Sequence, residues 1–393
     1  MRYFLVLIFS PFILNSLYDL VFYIPAVASG KYDDLGALFL FYLVTQIFFS
    51  IFVSYYMLIK YQESCRQITG IKYKLKKTFG LFHYICIFSI LLFLFLFLFY
   101  SVFGDFNFSN LILRNAYFYA KSKIGTAWVF FLYQFFIVIM MYDMYKEGFV
   151  KYKVIILFAC IFIIALTGGR SSIMFWGFIL IFIYSVCHRN ELPGKYVLIT
   201  VFSAILVFSS NAILRSNSQD NVSNYLSSAS FIMDFDSAYV LQDAIDYTDK
   251  NNDYFGVALV DLVYAFVPRS LYKDKPVSTA ETRLLYPERT KSSTTNITFG
   301  YYGNLVLNLG VFGLILSPII LFYFSNIYFN AVFNSYKRDW KSFLLIYFFV
   351  MYVYVLRGGI INVRIILSLL VVSFSVCAYE ALRRLTFKKR KVV

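Results

Sequence analysis

Between Phe79 and Phe103 the chain runs for 25 residues without a formal charge. Few structures accommodate such a stretch. A helix crossing a bilayer needs about 20 mostly apolar residues, whereas a surface helix of a globular domain keeps a polar face. Comparable windows recur at 3–26, 35–59, 124–142, 154–169, 171–187, 196–214, 300–325, 342–357 and 359–379. With 79–103 they make about ten predicted transmembrane helices. Composition agrees, since 60% of the 393 residues are hydrophobic and 15% charged, against about 45–50% and about 25% in ordinary globular domains. A disordered chain would be polar and charge-rich instead. The expectation is therefore an all-α polytopic integral membrane protein. Its aromatic share of 22% reads mostly as lipid-facing bulk.

Basic residues set the predicted orientation, because positively charged loops stay in the cytoplasm. Ten spans put the tail, with Arg383, Arg384 and Lys388 to Lys391, on the same side as the 60–77 loop, which carries Lys60, Arg66, Lys72, Lys74, Lys76 and Lys77. The whole net charge of +15 then falls on that face. Both termini are expected in the cytoplasm, and nucleic-acid binding is not needed to explain the charge. Ala26-Val27-Ala28 resembles a signal-peptidase site. The preceding stretch is longer than a signal core and holds Asp19, so it reads as an uncleaved first helix. Cys65, Cys86, Cys160, Cys187 and Cys377 all fall in spans or on the cytoplasmic side without metal spacing, so neither a disulfide framework nor a metal site is expected.

Three parts follow: residues 1–214 with spans one to seven, a large external loop at 215–299, and residues 300–393 with spans eight to ten and a basic cytoplasmic tail. A long loop in an otherwise economical chain is usually functional. Within it, residues 225–247 show helical periodicity. Tyr254 to Val267 is apolar apart from Asp261 and too short to cross, which fits an interfacial helix. Pro268-Arg269-Ser270-Leu271-Tyr272-Lys273-Asp274-Lys275-Pro276 follows as a rigid basic turn at headgroup height. It reads either as an anchor to lipid phosphates or as a binding site for a lipid-linked diphosphate.

Arg170, Arg357 and Arg364 border or enter spans on the external half, and Arg215 ends the seventh span. Arginine on that side runs against the positive-inside bias. Snorkelling is one explanation; a shared anionic ligand is the other, because the guanidinium fork matches phosphate oxygens in pairs. His83 and His188, the two histidines, lie on the cytoplasmic side, so an external base is left to carboxylates or tyrosines. Asp234, Asp236, Asp261 and Glu281 are the candidates, against the commoner case of solvated helix-surface acids. Asp33-Asp34 reads as an exposed turn. Gly300, Gly303, Gly310 and Gly313 punctuate the start of the eighth span and suit close helix packing.

Three features resemble the bacterial O-antigen and capsule repeat-unit polymerases, the Wzy family. They are Leu166-Thr167-Gly168-Gly169-Arg170-Ser171, the apolar segment ending in the 267–276 turn, and Thr298-Phe299-Gly300-Tyr301-Tyr302-Gly303 before the glycine-spaced helix. Arg114 to Gly125 and Arg289 to Gly300 also match the Arg-x10-Gly motifs of some members.

The resemblance implies a glycosyltransferase of the C superfamily (GT-C-like fold) in the inner membrane, working on its external side without metal or other cofactor. It would move a growing glycan from one undecaprenyl diphosphate onto the next lipid-linked repeat unit. Its partners would be undecaprenyl-diphosphate-linked oligosaccharides and membrane lipid, with room for a chain-length regulator protein. Arg170, Arg215, Arg269, Arg357 and Lys275 would hold the diphosphate, and Asp261, Asp236 or Glu281 would serve the acceptor hydroxyl. The alternatives are a lipid-linked oligosaccharide flippase, an O-antigen ligase, another C-type glycosyltransferase using Asp33-Asp34, and a membrane acyltransferase. A flippase predicts charged mid-span residues and internal repeats. A ligase is expected to need an external histidine, an acyltransferase an intramembrane one, and the other C-type enzymes a longer first external loop.

Overall fold

The computed structural model describes residues 10–24, 37–66, 79–106, 127–166, 237–251, 280–287, 300–334, 338–352 and 363–388, with isolated positions besides. Every regular element among these residues is helical. Helix α1, Pro11–Tyr18, starts where the Ser10 hydroxyl accepts the Ile13 N–H and Pro11 occupies a position whose missing N–H is harmless. It runs directly into a π-helical turn, Asp19–Tyr23. Five further helices follow: α2, Ala37–Arg66; α3, Leu81–Phe103; α4, Ala127–Glu147; α5, Lys151–Leu166; and α6, Ser237–Asn251. Then come α7, Ala280–Leu285; α8, Gly300–Leu309; α9, Phe312–Asn334; α10, Trp340–Val350; and α11, Val363–Lys388.

Among the described residues, five stretches are long and apolar enough to cross a membrane: Phe39–Lys60, Leu81–Phe103, Trp128–Glu147, Phe312–Phe333 and Ile365–Arg384. They fall in the predicted second, third, fourth, eighth and tenth spans. Helix α3 shows how little the sequence leaves to choice. Its run of Leu, Phe and Ile has no polar stripe, and it stops where Gly104 takes φ 74° and returns its N–H to the Tyr100 carbonyl at 2.8 Å. Helices α5 and α10, where the short fifth and ninth spans were expected, have 16 and 11 residues. The seventh, 196–214, lies outside the described residues.

The predicted eighth span is not one helix. It breaks at Gly310, whose φ is 64°, and α8 folds back along α9. The Tyr301 hydroxyl donates to the Ser317 carbonyl, while Leu305 backs onto Gly313. A Cβ on Gly313 would lie 2.6 Å from the Leu305 carbonyl oxygen, so only glycine lets the two helices close. Pro318, inside α9, has no N–H to give the Leu314 carbonyl four residues back. The Tyr42 hydroxyl of α2 donates to that carbonyl at 2.9 Å, as buried helices in lipid require.

Neighbouring helices form a bundle: α3 packs on α4 and α5, α4 on α5 and α11, α10 on α9 and α11, and α2 on α1 and α9. Phenylalanines such as Phe41, Phe48, Phe52, Phe82 and Phe93 face outward, as lipid-facing bulk should. Many tyrosines depart from that expectation, although Tyr55, Tyr56, Tyr100 and Tyr323 are exposed. Tyr23, Tyr84, Tyr133, Tyr142, Tyr301, Tyr302, Tyr347 and Tyr379 are among the largest fully buried side chains. A phenol combines apolar bulk with a hydroxyl that can bond across helices, so tyrosine is the interior's polar connector.

Candidate functional site

The described part of the predicted long loop does not stand clear of the bundle. Its helix α6 packs on α8 and on the π turn, and α7 lies against α6, where the Tyr286 hydroxyl donates to Asp243. Residues Gly300 to Asn308 of α8 are buried as a result. The inner face of α6 is apolar, with Val240, Leu241 and Ala244 buried, while Asp249 and Lys250 are exposed. Gly303 passes beneath this face; a Cβ there would meet Leu241 Cα at 3.8 Å.

Below α8 lies a network drawn from three separate parts of the chain. The Tyr302 hydroxyl receives an N–H from Asn15 and another from Gln46, each at 2.9 Å, and donates to Asp19 Oδ2 at 2.9 Å. Asn15 Nδ2 also reaches Asp19 Oδ2 at 2.9 Å. Asn15 and Asp19 are 0% exposed and Gln46 4%. Among the described residues no lysine or arginine pairs with Asp19. Among the described residues, Asp19 Oδ1, Asn15 Oδ1 and Gln46 Oε1 have no hydrogen-bond partner, nor do the hydroxyls of Ser16 and Ser50. Buried polar groups are almost always partnered, so such a concentration marks a place built for something else to bind.

A second network sits at the far end of α9. Asn334 ends that helix, and Arg338, a few residues on, donates to the Lys146 carbonyl of α4 at 3.2 Å. From Ser317 to Asn334 is about 25 Å of helix. Here Asp143 of α4 accepts Lys153 Nζ of α5 at 2.5 Å, both side chains fully buried. The Tyr84 hydroxyl of α3 donates to Oδ2 and the Tyr379 hydroxyl of α11 to Oδ1, each at 2.8 Å. Beside it Lys146 pairs with Glu380 at 3.3 Å and Arg383 with Glu147 at 3.1 Å. The charges are matched and both Asp143 oxygens occupied, as expected of a structural lock joining four helices.

Arg114, Arg170, Arg215, Arg269, Lys275, Arg289 and Arg357 are outside the described residues, as are Asp33, Asp34, Asp234, Asp236 and Asp261. Glu281 and Arg364 are placed only by their backbones, in α7 and α11. Sequence reasoning passed over Asn15 and Gln46, took Tyr302 only as part of a motif, and used Asp19 only to argue against a cleaved leader. A signal was present: Asn15 and Asp19 are four apart in an apolar stretch, and Gln46, Ser50 and Ser54 repeat at the same spacing on α2. The tips of the two stripes meet, with the Ser10 and Ser54 hydroxyls 3.4 Å apart. Comparison of the chain with family models, curated proteins and solved structures gave no match.

Proposed function

We propose that this protein is a metal-independent membrane glycosyltransferase that polymerises undecaprenyl-diphosphate-linked oligosaccharide repeat units into O-antigen or capsular polysaccharide. It would sit in the bacterial inner membrane with both termini cytoplasmic. The observation that carries the reading is the docking of the long loop's helix α6 on α8. That docking brings the loop against Gly300-Tyr301-Tyr302-Gly303, part of one of the motifs behind the family resemblance, where a loop folded over the membrane end of the bundle can cap sugars on a lipid carrier.

The chemistry follows from the leaving group. An acceptor hydroxyl attacks the anomeric carbon, the bond to the diphosphate breaks, and negative charge grows on the departing lipid diphosphate. Preorganised donors at such a site contribute about 2.7–4 kcal/mol each in favourable cases. Arg170, Arg215, Arg269, Arg357 and Lys275 fill that role in this reading. Asp261, Asp236 or Glu281 takes the proton from the attacking hydroxyl. The Arg269→Ala and Arg170→Ala variants should express normally and give no long-chain polysaccharide; normal chain lengths in both would remove the reading.

Asp19 favours a second reading. A buried acid within the bundle is a feature of transporters, and a lipid-linked oligosaccharide flippase would move the same substrate without elongating it. Proteoliposomes separate the two: a polymerase lengthens the glycan, whereas a flippase changes only the leaflet from which it can be reached.

A further inference from the structure

The open oxygens around Tyr302 have no part in that reaction, and their arrangement has a definite chemistry. The Tyr302 hydroxyl is saturated, with two N–H groups in and one O–H out. The Asn15 amide turns its NH2 toward the Asp19 carboxylate and the Tyr302 oxygen, and Gln46 turns its NH2 toward the same phenol. This orientation of Asn15 suits an ionised Asp19, because an amide oxygen facing a carboxylate would repel it. With both NH2 groups turned inward, Asn15 Oδ1 and Gln46 Oε1 have no donor, and neither has Asp19 Oδ1. Each of these three oxygens belongs to a group whose other polar atom is 2.9 Å from the Tyr302 hydroxyl. The unpartnered hydroxyls of Ser16, next to Asn15, and Ser50, one turn from Gln46, flank them.

The surplus is therefore mostly acceptors: three oxygens of Asp19, Asn15 and Gln46 that accept, beside two serine hydroxyls that can accept or donate, around one carboxylate in a fully buried place. A proton on Asp19 Oδ1 has one hydrogen bond to give, so on its own it partners one amide oxygen and leaves the other to a serine hydroxyl. A hard cation joins carboxylate, amide and hydroxyl oxygens at once. A lone carboxylate balances a monovalent ion, whereas sites for divalent ions are built with more charge. The segment carrying Asp19 is also a π turn, an irregularity common at functional sites.

We propose that Asp19, Asn15 and Gln46, oriented by Tyr302, bind one sodium ion where α1, α2 and α8 meet. The ion would complete the junction that holds α8, and with it α6 of the long loop, against the first two helices. It takes no part in bond making, and the proposal does not depend on which reaction the protein catalyses.

The test uses the full chain in lipid nanodiscs, with sodium chloride exchanged for choline chloride at fixed ionic strength. Radioactive sodium should bind saturably, one ion per chain, and the thermal unfolding midpoint should rise with sodium. Affinity should fall at least about tenfold in Asp19→Asn and Gln46→Leu, and stay unchanged in Cys86→Ala, which lies away from the site. If Asp19→Asn cannot be recovered folded, Asn15→Leu and Gln46→Leu carry the comparison against the wild type. Three results each overturn the proposal: no saturable sodium binding by the wild type, equal binding by the site variants, or a midpoint that follows pH and ignores sodium. The last would make Asp19 a proton site.

Discussion

Asp143 and Asp19 are both fully buried acids, and their surroundings differ in how completely they satisfy the carboxylate. Asp143 has a lysine and two phenols, and nothing on it is left over. Asp19 has a phenol and an amide and, among the described residues, no cation and an oxygen with no donor. Completeness distinguishes a lock from a site. A matched ion pair fixes how four helices cross, whereas an unmatched charge is retained at a cost in stability, and that cost makes sense where a ligand completes the group.

The sharpest way to break the comparison is at the lock. Lys153→Met leaves Asp143 buried without its counter-ion and should lower stability by about 3–5 kcal/mol. Adding Asp143→Asn should recover part of the loss, as reversible unfolding in mixed detergent would show; a double variant no better than the single one would mean that the pair does not act as a unit. The hairpin comes next. Gly313→Ala drives a methyl into the Leu305 carbonyl and should cost about 1–3 kcal/mol. A protease cutting within the loop should then act faster on that variant than on wild type.

Smaller effects separate the site's internal bonds from its ligand. Tyr302→Phe removes the hydroxyl on which Asn15, Gln46 and Asp19 converge and should cost about 1 kcal/mol, with most of the sodium response lost as well. Tyr42→Phe strands the carbonyl freed by Pro318 and should cost about 0.6 kcal/mol, leaving the sodium response intact. Equal sodium responses in these two variants would blur the boundary drawn around the site.

The sequence showed some of this clearly. The charge-free run at 79–103 became α3, Leu81–Phe103, because nothing in it favours any other structure. Helical periodicity at 225–247 announced a helix in the loop, described as Ser237–Asn251. The 300–325 window misled for a physical reason. Hydropathy is blind to direction, so a short helix folded back on a spanning one has the same apolar profile as a single long span. Gly310 marks the bend, whereas Gly313 is the close-packing position that its spacing suggested. Asp19 was visible as a charge, but its partner Tyr302 comes from 283 positions away and Gln46, on the same hydroxyl, from 27, and no local pattern links them. The arginines drew attention because positive charge outside the membrane is anomalous, whereas neutral amides and phenols inside it are not.

The central contrast can be put to one measurement, the thermal midpoints of Asp143→Asn and Asp19→Asn in the same nanodiscs without sodium. Losing the acid at the lock strands Lys153, so Asp143→Asn should melt well below wild type. Losing the acid at the open network removes an uncompensated charge, so Asp19→Asn should melt at or above wild type. A lower midpoint for Asp19→Asn than for Asp143→Asn would contradict the division of the interior into a closed lock and an open site.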